Sequence, residues 1–317
     1  MSPRSTNLAL FGLLTVAFFS GWLAFTLSGQ PARATLILHG AAGVGLLLLV
    51  PWKALLSAGS VRRRRGRSLW WPSLVVALAI AISLVFGVVH SAGRPYLGAG
   101  LTAIDFHVGA ALAVLPFIGW HILARPVRPR ATDLSRRSAL GWLGLTGASL
   151  LGYELLPSAP RAATGSFPTA VPVATNWMFD QAPDLSRDRW RLHAGGRAWT
   201  YAELARYQDE VDAVLDCTGG WWARAAWGGV LVEQLLPPPP PFGSYVVRSA
   251  TGYERRFPAS ERLLLALRMN GDPLPAGNGH PARLVAPARR GFEWVKWVVE
   301  IRSDALPPWF QPPFPMQ

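Results

Sequence analysis

Apolar residues fall in five long stretches before residue 158 and in short, punctuated runs after it. The long stretches cover about 8–28, 34–52, 70–90, 103–123 and 139–157, each near the roughly 20 residues that a helix needs to cross a hydrocarbon core. The fifth carries Gly and Ser throughout. Beyond residue 158, prolines (Pro168, Pro172, Pro183, Pro237 to Pro241) separate short runs. Those at Ser244–Arg248 and Trp294–Ile301 predict strands, and helices are expected near Thr200–Arg206 and Ala259–Leu267. The Pro237–Pro241 run cannot pair inside a sheet and predicts an extended surface connection. The pattern predicts an N-terminal all-α transmembrane bundle of five helices at 1–158, and a mainly-β, α+β domain at 159–317.

Only 15% of the residues are charged, below the roughly 25% of soluble proteins, yet the net charge is +13. Where the charge sits decides its meaning. Lys53, Arg62, Arg63, Arg64, Arg65 and Arg67 follow the second stretch, and Arg125, Arg128, Arg130, Arg136 and Arg137 follow the fourth. The opposite connections carry Arg33 and Arg94. The positive-inside rule then predicts a multi-pass protein of the cytoplasmic membrane with a cytoplasmic N-terminus and, after an odd number of spans, an extracytoplasmic C-terminal domain. The basic residues are a topology signal, and no nucleic-acid partner is expected. Ser135-Arg136-Arg137-Ser138 before an apolar run resembles a twin-arginine export signal; an ordinary basic flank is the alternative. With Cys217 as the sole cysteine, neither an intramolecular disulfide nor a cysteine-based zinc site is possible.

Histidines at membrane depth are costly and need a reason. Leu38-His39-Gly40-Ala41-Ala42 and Phe106-His107-Val108-Gly109-Ala110 open two helices similarly, and Trp52 and Trp120 follow their histidines at one spacing, so a weak internal repeat places His39 and His107 at one depth. Small neighbours would admit a flat macrocycle, and a facing histidine pair is the axial set of a b-type haem. The alternative is an interhelical hydrogen bond. His90, at the end of the third stretch, is open to replacing either partner. His121 lies about 21 Å below His107 at 1.5 Å per residue. This spacing resembles four-helix cytochromes b, in which one helix serves two haems. Lys53 occupies the position equivalent to His121, so one haem is expected and two remain open.

In the second half, Asp216-Cys217-Thr218-Gly219-Gly220-Trp221 stands out, with Trp227 and Gly229 beyond it. Three further strings follow: Leu267–Pro275, then Asn278-Gly279-His280-Pro281-Ala282-Arg283, then Gly291–Trp297. Together these resemble the sulfite-oxidase superfamily of molybdopterin domains over about 165–303. The Cys-x3-Trp-x5-Trp-x-Gly spacing is similar to the catalytic subunit of the bacterial periplasmic methionine-sulfoxide reductase. The resemblance implies a sulfite-oxidase-like fold binding Mo-molybdopterin, with Cys217 as the thiolate on molybdenum and the catalytic residue. It implies pterin contacts from Asn176, Phe179 and Asp180, and from the Asn278 and Arg283 pair. Arg283, Trp294, Val295 and Lys296 would meet the pterin phosphate, with Ser249 or Thr251 adding a polar contact. Sulfite oxidases proper carry histidine where this chain has Asn278, and the resemblance therefore leans to the reductase branch. The plain alternatives are solvated charges for Arg283 and Lys296 and core packing for the tryptophans. Arg224, Arg289 and Arg290 are open to lining an anionic substrate path. His193 and His280 are expected at the surface.

These readings lead to a membrane-bound molybdenum oxidoreductase linking the quinone pool, b-type haem and a molybdenum centre that carries out oxo transfer. S-oxide or N-oxide reduction is the expected direction. Its partners would be membrane lipid, quinone and a small oxo substrate. A substrate-oxidising, sulfite-dehydrogenase-like enzyme and a metal-free tethered binding module are the alternatives.

Overall fold

The first apolar stretch folds as α1 (Pro3–Thr26), capped where the Ser2 side chain accepts from the Ser5 amide, with a proline at the start of the helix. Then come α2 (Gly29–Arg63), α3 (Trp71–Ser91), a small hairpin of β1 (Tyr96–Gly98) and β2 (Leu101–Thr102), α4 (Ala103–Ala113), α5 (Leu115–Ala124) and α6 (Arg136–Leu155). The structure is a computed structural model describing residues 2–63, 71–93, 96–98, 101–124, 127, 130, 133, 135–156, 160–174, 181–287 and 289–312. It divides between Gly165 and Ser166. In the helical unit α1 packs on α2, α3 on α4, and α6 on α2.

Three expectations differ from the structure. Among the described residues four helical passes, not five, are long and apolar enough to cross a membrane: α1, α2, α3, and α4 with α5. The fifth stretch is helical as α6, but Gly141, Gly144, Gly147 and Gly152, with Ser138, Thr146, Ser149 and Glu154, dilute its apolar content. The odd number of passes behind an extracytoplasmic C-terminus is therefore not given by composition alone, and Arg64, Arg65, Arg67, Arg94, Arg125 and Arg128 lie outside the described residues. The fourth stretch is also two helices, broken at Val114. Pro116 lacks the amide that would continue the ladder. His107 and His121 thus sit on separate segments, α4 and α5. The unit boundary also falls later than residue 158. Arg161 bonds Ser91 and Tyr153 within the helical unit, and Gly165 lies against Leu36.

The second unit holds β3 (Phe167–Pro168), β4 (Arg191–Ala194), β5 (Arg197–Thr200), α7 (Tyr201–Leu204), β6 (Asp209–Cys217), β7 (Trp221–Leu231), β8 (Ser244–Ser249), β9 (Glu254–Phe257), β10 (Leu264–Met269), β11 (Asp272–Pro273), β12 (Arg283–Val285) and β13 (Val298–Asp304). One sheet runs β11-β10-β7-β3, with β6 also on β7 and β12 also on β10; the other runs β5-β4-β13-β8-β9. Alternation along β6 and β7 sends Ala213, Leu215, Trp221, Ala223, Ala225 and Trp227 into the core. The helix expected at Ala259–Leu267 is instead β10. Leu263 to Leu267 are all buried, and a continuous apolar run suits a strand covered on both faces as well as a helix. The strand expected at Trp294–Ile301 begins at Val298, because Gly291–Glu293 forms a 3-10 turn and Trp297 has a φ of 53°, which breaks an extended run. The expected helix near Thr200–Arg206 is a single turn, α7.

Candidate functional site

Cys217 ends β6, directly opposite Trp221 of β7, and is half-buried; its Sγ accepts from the Gly219 amide at 3.4 Å. The residue before it is held from two sides. Asp216 takes a hydrogen bond from Ser166 Oγ at 2.6 Å and pairs with the buried Arg290 at 2.5 Å. Arg290 is thus a support for the Cys217 strand end rather than part of a substrate path. Arg289 is similarly committed to Glu261 and Glu293, and Arg224 lies exposed beside Asp212.

Arg283 opens β12 and is 1% exposed. Its Nη1 donates to the Asn278 carbonyl at 3.1 Å and its Nη2 to the Trp294 carbonyl at 3.4 Å. The guanidinium stands 5.1 Å from the Trp227 ring centre and 5.6 Å from that of Trp294. Among the described residues no carboxylate pairs with it, and its Nε has no hydrogen-bond partner. Burial pushes its pKa down to about 10, and the nearby Cys217 sulfur opposes that shift. A buried cation without a counter-charge is costly, so the site calls for an anion.

Of the other residues expected here, Asn278 and Trp294 accept from Arg283 directly, and Lys296 lies across Gly279 from it. Asn278 ends the 3-10 turn Ala276–Asn278, is buried, and donates through Nδ2 to the Pro172 carbonyl at 3.2 Å. Trp294, Val295 and Lys296 run beside β12, the Leu284 amide bonding the Val295 carbonyl at 2.7 Å. Lys296 Nζ donates to the Gly277 carbonyl at 2.8 Å. Ser249 and Thr251, their hydroxyls 3.0 Å apart, flank Ala250, whose amide bonds the Trp297 carbonyl at 2.8 Å. Gly279 is required where it stands: its φ is 107°, and a Cβ there would lie 2.9 Å from the Arg283 Cβ. Asn176, Phe179 and Asp180 lie outside the described residues. His280 is half-exposed beside Tyr201, its pKa lowered mainly by burial. A thiol, a buried unpaired guanidinium and a nearby ammonium form a donor set that fits an anionic, sulfur-ligated metal cofactor.

The helical unit carries a second constellation. The His39 and His107 ring centres lie 5.7 Å apart with their planes at 90°. His39 Nδ1 donates to the Ala17 carbonyl at 2.8 Å, and His107 Nδ1 to the Ser83 carbonyl at 2.7 Å. Each bond fixes the tautomer and leaves Nε2 as the lone-pair nitrogen, the arrangement usual for a metal-bound imidazole. Two imidazoles on opposite sides of one metal, at about 2 Å each, would have ring centres about 6 Å apart. The observed ring-centre separation is close to that value. Each ring also rests on a glycine of the preceding helix. A Cβ on Gly21 would come within 2.9 Å of the His39 ring, and one on Gly87 within 3.0 Å of the His107 ring. Ala17 and Gly21, like Ser83 and Gly87, are one turn apart, so α1–α2 and α3–α4 repeat the same device. His90, 9% exposed at the end of α3, bonds the backbone at Gly165. His121 lies on α5 with Nδ1 3.5 Å from Ser73 Oγ.

Sequence reasoning missed the Asp216–Arg290–Ser166 support and the two glycine–carbonyl seats. The first joins residues remote in sequence and leaves no local signal. The second is hidden by spacing, as Gly21 stands 18 residues before His39 and Gly87 stands 20 before His107.

Residues 180–307 match the family described as the oxidoreductase molybdopterin binding domain. No curated protein matches the chain. Among solved structures, the sulfane dehydrogenase SoxCD from Paracoccus pantotrophus is similar at 25% identity over 38% of this chain, with a TM-score of 0.34. The chain spans 39% of that protein's length.

Proposed function

We propose, from the premise that this chain is an enzyme with an oxidoreductase molybdopterin binding domain at residues 180–307, that it is a membrane-bound oxo-transfer enzyme of the sulfite-oxidase kind, coupled to the quinone pool through a b-type haem. The observation that carries the reading is Arg283, a fully buried guanidinium with no carboxylate partner among the described residues and within electrostatic range of the Cys217 thiol. A cofactor with a phosphate and a thiophilic metal answers both groups at once. When bound, the molybdenum–pterin group supplies two-electron oxygen-atom transfer, and the haem supplies one-electron carriage.

The chain's own residues have definite tasks in this reading. Cys217 offers the sulfur ligand, and Asp216, pinned by Arg290 and Ser166, keeps that strand end in place. Arg283 and Lys296 take the cofactor phosphate, both steadied by the Ala276–Asn278 turn through the Asn278 and Gly277 carbonyls. Asn176, Phe179 and Asp180 are assigned to the pterin by resemblance. Trp227 and Trp294 keep water from the guanidinium. His39 and His107 hold the haem, with Gly21 and Gly87 making room; His90 and His121 are secondary candidates. In this reading the enzyme sits in the cytoplasmic membrane, which the four apolar passes support, and the second unit lies outside, with α6 as a further pass behind a twin-arginine segment at Arg136 and Arg137.

Reduction of an S-oxide or N-oxide is the assigned direction, supported by the Cys217–Trp221 spacing and by Asn278. The test is anaerobic, on detergent-purified protein. Reduced haem should be reoxidised by an S-oxide, and Gly21→Val and Gly87→Val should lose haem while Gly12→Ala, with open space beside it, keeps it. Haem reduction by sulfite or a related donor would assign the oxidising direction instead. Molybdenum-free protein from a cofactor-competent host would reduce the chain to a binding module.

A further inference from the structure

Arg161 sits just beyond α6, and its two recorded partners are neutral. Nη1 donates to Ser91 Oγ at 3.4 Å and Nη2 to the Tyr153 hydroxyl at 3.1 Å. Among the described residues no carboxylate pairs with it. Its partners lie on α3 and α6, the helices packed against α4 and α2, which carry the facing histidines. On α3, Ser91 follows Gly87 by one turn and lies on the same helix face, about 6 Å further along the axis. Gly87 is the residue on which the His107 ring rests. On α2, the Tyr153 ring covers Gly40, the neighbour of His39: a Cβ on Gly40 would lie 2.1 Å from that ring. His90, next to Ser91, lies within electrostatic range of both Arg161 and His107. The guanidinium therefore stands beside the end of α3, one turn from Gly87, and is linked through Tyr153 to Gly40 of α2.

A haem held by His39 and His107 would carry two carboxylates on one edge. Those carboxylates cannot stay charged in hydrocarbon without a partner. A planar guanidinium fork matches a carboxylate in two hydrogen bonds, and Arg161 already has its fork oriented by two hydroxyls. We infer that Arg161, set by Ser91 and Tyr153, is the binding residue for a haem propionate and so raises the haem's midpoint potential. This rests on the reading of His39 and His107 as haem ligands. The sign follows from charge: a nearby cation disfavours the oxidised, more positive iron.

The experiment is potentiometric titration of the purified full chain, followed optically, for wild type, Arg161→Gln and Arg161→Lys. The Gln variant should keep the bis-histidine spectrum. Its oxidised-to-reduced ratio at a fixed potential should rise about tenfold, a downward shift of about 59 mV for one electron. The Lys variant, which keeps the charge, should stay nearer to wild type. An unchanged potential in the Gln variant overturns the inference and leaves the histidine reading intact. Wild type without haem, or His39→Ala and His107→Ala variants that keep it, overturns both, and the spectra show this before any titration. If the Gln variant holds no haem, apoprotein melting decides. Haem loss at an unchanged melting temperature supports the assignment, and a matching fall in melting temperature overturns it in favour of a structural role.

Discussion

The two units hold their candidate cofactor residues in opposite ways. In the helical unit both histidines are satisfied on one side: each ring donates to a backbone carbonyl of the preceding helix and rests on a glycine one turn further on. The site is two copies of one device, and each copy is electrically quiet. In the β unit nothing repeats. A thiol at a strand end, a buried guanidinium and an ammonium come from β6, β12 and the segment before β13, and the guanidinium has no counter-charge among the described residues. In the proposed reading the first site admits its group by shape. The second is left electrostatically incomplete until an anion arrives. The difference predicts that the β unit should show its cofactor dependence in charge variants and the helical unit in volume variants.

The largest expected effect is at Cys217. Cys217→Ser should keep the fold, because the side chain is half-exposed and the Gly219 amide can donate to a hydroxyl instead. Its stability should change by no more than about 0.5 kcal/mol. Molybdenum content should fall to background and oxo-transfer activity by at least about a thousandfold, some 4 kcal/mol of barrier. Metal analysis beside a turnover assay checks this. A serine variant with full metal and activity would remove the thiol from the site and leave only the anion-seeking half of the comparison.

Arg283→Met sharpens the contrast, since its two effects carry opposite signs. Without cofactor, methionine removes a buried uncompensated charge at the cost of two hydrogen bonds to carbonyls. The apoprotein should gain about 1 kcal/mol, as buried ions replaced by apolar groups often do. Cofactor affinity should fall about 10- to 100-fold, the worth of a charge-assisted hydrogen bond. Denaturant midpoints with and without cofactor measure both. A loss of apoprotein stability would mean that Arg283 is a structural residue whose charge the fold already tolerates.

How far each site was legible in the sequence follows the same division. The apolar stretches match α1 to α6 within a few residues, except that α2 runs well past its stretch, because length and composition alone fix a membrane-crossing helix; the break at Val114 needed attention to Pro116. His39 and His107 were visible because a repeat carries its own register. In the β unit, Cys217, Asn278, Arg283 and Lys296 were visible only as a motif resemblance, and that resemblance does not show that Arg283 is unpaired. The run Leu263–Leu267 was misread because a strand buried on both faces loses its alternation. The Asp216–Arg290 pair was missed because tertiary folding alone joins it, and Arg290 on its own looks like a surface charge.

The smallest effect compares one local device present in both units. Thr102 caps α4 in a reciprocal box with Asp105, and Thr200 caps α7 in the same box with Glu203. Replacing either threonine by alanine should cost about 1 kcal/mol, but the consequences should differ. Thr102→Ala loosens the start of the short helix that carries His107, so haem should dissociate faster. Thr200→Ala touches no candidate ligand and should leave metal content unchanged. Its signature is in acid. Bonds from the Thr200 amide and hydroxyl hold the Glu203 carboxyl down at about 2, from an ordinary 4.5. A depressed carboxyl stabilises the fold fully above its unfolded value and loses that contribution as pH falls towards the folded value. With the hydroxyl gone, Glu203 should protonate at higher pH, and acid unfolding followed by tryptophan fluorescence should begin earlier in Thr200→Ala than in wild type. Coincident acid transitions would show that the amide and Arg197 suffice to hold the carboxyl and that the hydroxyl of the box in the β unit is dispensable.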